Sequence, residues 1–285
     1  MRSLASGDKV LAPFWISCGD CHFCRKGLQT SCVNGGCFGF QGFWSAGGEA
    51  QGGQSEYVRV PLADGTLDAV PEALADDGND ARTLPLTDVM STAYHAVKQA
   101  RPQPGGVTLV LGDGAVGLLS AHAATLFDQR AIILLGHHDD RLAIGRGLGA
   151  THTVNTNDQD AAELIGELTG GLGVDSAVCA VASPETTRFA VEQLQPGGGL
   201  GWVGMEVFFG APDIPWDMAF LKNITISGGV APVKHYLPEL WPHLEAGRID
   251  PSPVLTHDLP LAEAAAGYPI MASREEGSVK VAVTP

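Results

Sequence analysis

Val107-Thr108-Leu109-Val110-Leu111-Gly112-Asp113-Gly114-Ala115-Val116-Gly117 is the stretch on which the fold turns. An apolar, β-branched run ends in G-x-G-x-x-G, and a helix-forming segment continues through Phe127. In such a turn the first glycine permits the tight bend. The second lets a pyrophosphate approach the backbone, and the third lets helix pack on strand. The helix start then offers free N–H groups and a partial positive charge to phosphate. Gly112, Asp113, Gly114, Ala115, Val116 and Gly117 are therefore candidate dinucleotide-binding residues. A plain structural turn can carry the same glycines; the strand before and the helix after favour the nucleotide reading.

The same texture extends outward from this turn. Further strands are expected at residues 131–135, 176–181, 199–203 and 225–227. Helical periodicity falls between them, at 115–127, 140–148, 158–169 and 184–194. Strands alternating with helices of this length predict an α/β fold with a doubly wound parallel sheet. Upstream, residues 1–85 are rich in Gly and Pro, with short β-like runs at 9–13 and 55–61. Downstream of Gly229 come a helix near 237–245, short strands, a helix near 261–270 and a buried strand at 279–283.

At the end of the second strand a carboxylate would ordinarily hold the adenosine ribose. Gly136 stands there instead, followed by His137-His138-Asp139-Asp140-Arg141. Losing that carboxylate tilts the choice from NAD toward NADP, although two aspartates follow. Gly136, His137 and Arg141 join the candidate cofactor set, with a solvated loop histidine as the alternative for His137.

Cys18, Cys21, Cys24 and Cys32 form C-x2-C-x2-C-x7-C. Tight loops at that spacing point four thiolates at one tetrahedral centre, and a shell of four sulfurs leaves no position for water or substrate. The expected metal is a structural zinc. His22 lies inside the cluster but reads as a solvated residue, and Cys37 and Cys179 fall outside the pattern. Buried or disulfide-linked cysteines are the alternative, disfavoured where no secretion signal is visible.

Composition narrows the partners. The net charge of −15, from 17 basic and 32 acidic residues, repels phosphate backbones and anionic lipid, so neither nucleic acid nor a membrane is an expected partner. Apolar runs are strand-sized, and the first eight residues contain no apolar core of a signal peptide. A cytoplasmic location is expected.

The cysteine motif, the glycine turn and Leu86-Thr87-Asp88-Val89-Met90-Ser91-Thr92-Ala93-Tyr94-His95 together resemble zinc-dependent medium-chain alcohol dehydrogenases. Gly228-Gly229-Val230-Ala231-Pro232-Val233 and Gly247-Arg248-Ile249-Asp250-Pro251 are similar to the same family. The resemblance implies a GroES-like β-barrel, residues 1–86 and 233–285 with a zinc lobe at about 15–45, split around a Rossmann domain at 87–232. It also implies a second, catalytic zinc, whose third ligand matches Asp88. A helix cap is the other reading of Asp88. In the family the cysteine and histidine ligands, and a hydroxyl that relays the proton, lie upstream of the segment resembling residues 3–10. The catalytic site and the barrel are accordingly expected to be incomplete in this chain. Glu49, Asp68 and the aromatics of residues 38–44 are candidates to border the substrate pocket. The implied activity is hydride exchange between NAD(P) and a small alcohol, polyol or aldehyde, in a homo-oligomer. A non-catalytic, zinc- and dinucleotide-binding subunit is the rival reading.

Overall fold

Glycine and proline interrupt residues 1–91 so often that, among the described residues, only two-residue strands form. The computed structural model describes residues 4–40, 51–181, 183–204, 214–274 and 277–285. Strands β1 (Val10–Leu11), β2 (Trp15–Ile16), β3 (Gly36–Cys37) and β4 (Asp68–Ala69) pair as β1 with β4 and β2 with β3, both antiparallel. Among the described residues, three single-turn α-helices lie among and after them: α1 (His22–Arg25), α2 (Ala63–Thr66) and α3 (Asp80–Thr83). Residues 55–61, expected as a strand, form none, and Tyr57 is 91% exposed. Alternation suggests a strand, but only a neighbour taking its N–H and C=O groups makes one.

The chain then enters α4 (Val89–Ala100) and a regular alternation. In order come β5 (Val107–Leu111), α5 (Ala115–Ala124), β6 (Ala131–Gly136), α6 (Asp139–Gly147), β7 (His152–Asn155) and α7 (Ala161–Thr169). They are followed by β8 (Val174–Cys179), α8 (Pro184–Gln193), β9 (Leu194–Trp202), α9 (Trp216–Leu221) and β10 (Thr225–Gly228). All six strands are parallel, in the order β10-β9-β8-β5-β6-β7. The direction of winding reverses between β5 and β8, which is the switch point where open α/β sheets bind ligands. Leu109, Ile133, Ala177 and Leu200 lie in one core cluster with no exposed surface. Burying each leucine or isoleucine there contributes roughly 2 kcal/mol.

The last segment carries α10 (Val233–Glu245), β11 (His257–Pro260), α11 (Ala264–Ser273) and β12 (Val281–Thr284), with β11 parallel to β12. It belongs with the first: Met1–Ser91 and Pro232–Pro285 make one compact unit, and Thr92–Ala231 the other. Within the first unit, Arg82 donates to the Leu244 carbonyl, and Lys234 to those of Asp64 and Leu67, so α10 is stitched onto the early loops. Among the described residues no helix is long and apolar enough to cross a membrane.

Candidate functional site

The cysteine lobe forms because α2 and the loop before α1 lock together. Ser17 donates its N–H to the Thr66 hydroxyl at 3.1 Å and its own hydroxyl to the Gly65 carbonyl at 2.8 Å. Four sulfurs then converge. Cys18 lies 4.0 Å from Cys24 and 3.5 Å from Cys32, and Cys21 lies 3.5 Å from Cys24 and 3.9 Å from Cys32. A tetrahedron of zinc–sulfur bonds of about 2.3 Å has edges of about 3.8 Å, so the donor set fits zinc. These separations are far beyond a disulfide bond, and all four cysteines are free.

Their electrostatics ask for a cation. Backbone N–H groups of Cys24 and Val33 hold the Cys21 thiol down at about 6, whereas burial and the neighbouring cysteines push Cys24 up to about 12. Four thiols this close cannot all ionise unaided, and a divalent metal makes that possible. Among the described residues this is the one group of three or more ligand side chains able to share an ion. His22 is exposed beside it and outside the sulfur shell.

The glycine turn lies at the switch point. Gly112 has φ of +116°, and a Cβ there would meet the Val181 side chain at 2.8 Å. A Cβ on Gly117 would lie 1.8 Å from the Gly112 carbonyl oxygen, so only glycine lets α5 start this close to the strand end. At Gly114 a Cβ would meet nothing within 4 Å, which leaves that backbone open to a ligand. Residues 115 and 116 form the first turn of α5. The cradle fits a dinucleotide phosphate.

Other expected residues are placed differently from a phosphate site. Asp113 turns its carboxylate away to the loop after β6, where Oδ2 accepts from the His137 and His138 N–H groups at 2.8 and 2.9 Å. Arg141 is buried, with Nη1 4.0 Å from Asp113 Oδ1. Gly136 ends β6 without a side chain, and exposed His137 shares a 2.9 Å hydrogen bond between Nδ1 and the Thr156 hydroxyl.

Asp88 stands between a 3₁₀ turn and α4, with φ −152° and ψ −80°. That backbone is not helical, so the face shared by Thr92 and His95 along α4 does not extend to it. Asp88 lines a cavity of about 240 Å³ with Ser55, Thr87, Leu255 and Lys280. It also belongs to no cluster of three ligands among the described residues, so the residues present there do not make a complete metal site. Burial, and then the Asp88 charge, push the nearby Cys37 thiol up, which leaves a thiol and not a thiolate. Asp68, expected near a pocket, accepts from the Trp241 indole N–H at 3.1 Å and ties β4 to α10. Glu49 and the aromatics Phe43 and Trp44 lie outside the described residues.

A tetrathiolate lobe in one unit and a doubly wound sheet with a phosphate-type turn in the other define the zinc-binding dehydrogenase class. Comparison agrees in both halves. Residues 1–71 match the alcohol dehydrogenase GroES-like domain, and residues 115–246 match the zinc-binding dehydrogenase domain. An uncharacterized zinc-type alcohol dehydrogenase-like protein of Bacillus subtilis is 30% identical, over 100% of this chain and 81% of its own length. The solved alcohol dehydrogenase of Thermus sp. ATN1 superposes with a TM-score of 0.89 at 30% identity, over 100% of this chain and 80% of that one. A zinc-binding dehydrogenase of Sinorhizobium meliloti, solved bound to NADP, gives a TM-score of 0.78 at 25% identity, over 100% and 79%. The chain belongs to the zinc-dependent medium-chain alcohol dehydrogenase family.

Proposed function

We propose that this protein is the NADP(H)-binding framework of an oxidoreductase that exchanges hydride between nicotinamide and a small alcohol, polyol or aldehyde. The observation that carries the reading is the Gly112–Gly117 turn at the sheet's switch point, closed at Gly117 and open at Gly114. The preference for NADP follows from Gly136, where the usual ribose carboxylate has no side chain, and from His137 as a donor beside it.

Two metal roles are separated in this reading. Cys18, Cys21, Cys24 and Cys32 hold a structural zinc that closes the lobe. Asp88 is a ligand of a catalytic zinc whose remaining ligands come from outside the described residues. Such a zinc, when bound, acts as a Lewis acid on a substrate oxygen. The chain's own part is to bind the dinucleotide at the sheet and to offer the Asp88 carboxylate at its cavity. A zinc- and dinucleotide-binding subunit without turnover is the second reading: Asp88 belongs to no group of three or more metal-ligating side chains among the described residues. A homo-oligomer is part of the proposal, supported by β10 at the sheet edge and by exposed Phe220 and Leu221 on α9.

Zinc content of the purified chain, read beside turnover on a panel of alcohols and aldehydes with each nicotinamide, tests the proposal. One zinc per chain, abolished by Cys18→Ser with Cys21→Ser, is expected, together with tight NADPH binding. Turnover at one zinc would overturn the assignment of Asp88 to an unfinished site. Failure to bind either nucleotide would overturn the functional reading itself.

A further inference from the structure

Asp113 occupies a position in the turn where the cofactor is met by backbone, yet its side chain is only 7% exposed and fully employed. Oδ2 accepts three hydrogen bonds: from the N–H of His137 at 2.8 Å, the N–H of His138 at 2.9 Å and Nδ1 of His138 at 2.9 Å. Oδ1 faces the Arg141 guanidinium at 4.0 Å. A Cβ at Gly136 would lie 2.5 Å from the Asp113 Cβ and 2.6 Å from Oδ2. The strand end thus lacks a side chain because Asp113, reaching across from the neighbouring turn, takes its room.

This carboxylate is not the missing ribose ligand. An oxygen that already accepts three donors has no capacity for a hydroxyl, and the other oxygen is turned to a buried cation. Burial alone would raise the Asp113 pKa, but the His138 ring and the two N–H groups outweigh it and hold the carboxyl below its ordinary range. It is therefore a fixed anion at neutral pH, and its charge is spent inside the protein. Exposed Asp139 and Asp140 are engaged locally, the first accepting from Asn155 and the second from the Arg141 N–H. The loop has a second anchor on its far side, where Asn157 donates to the His137 carbonyl at 3.1 Å. Between the two anchors, His137 and His138 are held at the strand end, where a dinucleotide's adenosine ribose is read.

We propose that Asp113 is a specificity-setting positioning residue. Without touching the cofactor, and with His138 as its brace, it fixes the loop after β6 and with it the His137 ring as a donor for the 2′-phosphate of NADP(H), and so sets the discrimination against NAD(H). This rests on the nicotinamide reading above. The test is the ratio of dissociation constants for NADH and NADPH, measured by calorimetry on the zinc-loaded chain and on Asp113→Asn. The variant is expected to weaken NADPH about tenfold and NADH much less, which lowers the ratio. His138→Ala, which keeps both backbone bonds to Asp113, is expected to move the ratio the same way by a smaller factor, and it decides the matter if Asp113→Asn does not fold. An unchanged ratio in the folded variants, with both constants moving together or neither moving, overturns the proposal. A wild-type chain that favours NADH overturns the NADP preference separately, and one that binds neither overturns the nucleotide reading.

Discussion

His95 illustrates how one buried side chain ties this protein to pH. It lies in α4 with 6% of its surface exposed, and burial, assisted by Lys98, holds its imidazole down at about 4. In the unfolded chain it takes up a proton near pH 6.5, which the folded chain refuses until far lower pH. Stability is therefore lost as pH falls from about 6.5 to about 4, by up to roughly 3 kcal/mol, with no further loss from this group below that. His95→Gln should flatten the dependence of the urea midpoint on pH across this window; an unchanged slope would exclude His95 as its source. The helical spacing of Thr92 and His95 is readable from the sequence. The burial that fixes the charge state of His95 is not, because spacing along a helix does not say how deeply that face is covered. Asp113 is similar: its place in the turn is legible, while its reach to the loop after β6 depends on two strands lying side by side.

At the level of the element, the glycine turn separates packing from ligand approach. In Gly117→Ala the new Cβ meets backbone on a neighbouring turn, which no rotamer can relieve. A loss of roughly 1–3 kcal/mol in urea unfolding is expected, along with lost NADPH binding. Gly114→Ala has open space and an ordinary φ of −79°, so it should cost under about 1 kcal/mol while still weakening NADPH. Equal stability losses in the two variants would remove the distinction drawn between these glycines. Strands β5, β6 and β8 were legible because strands covered on both faces read as apolar runs, whereas β9, expected only from residue 199, opens at Leu194 and runs through Gln195-Pro196-Gly197-Gly198, which reads as a turn. By contrast β7, His152-Thr-Val-Asn155, lies at the sheet edge, and its mixed composition gave no signal. Helix α9 was equally unannounced, a six-residue turn entered through Pro215. Residues 55–61 failed the other way, since pattern cannot reveal whether a partner strand exists.

For the whole molecule, zinc should matter unequally. Metal bound by four thiolates stabilises the unit that contains them by mass action, and chelation withdraws that contribution. Hydrogen exchange after chelation should show lost protection in residues 15–37 and at the start of α10, while β5, β6 and β8 stay protected. Loss spread evenly over both units would show that the lobe governs the entire chain. The split organisation of the first unit, Met1–Ser91 with Pro232–Pro285, has its own consequence during synthesis. A ribosome adding 5–20 residues per second needs on the order of ten seconds to make the intervening segment, and the early loops must wait that long for α10. The cysteine lobe, Cys18 to Cys32, is locked by α2, which ends at Thr66, so its sulfurs come together without the closing segment. Capturing the ion while the nascent chain is still growing would pin that region early and shelter its thiols from oxidation until the closing segment arrives.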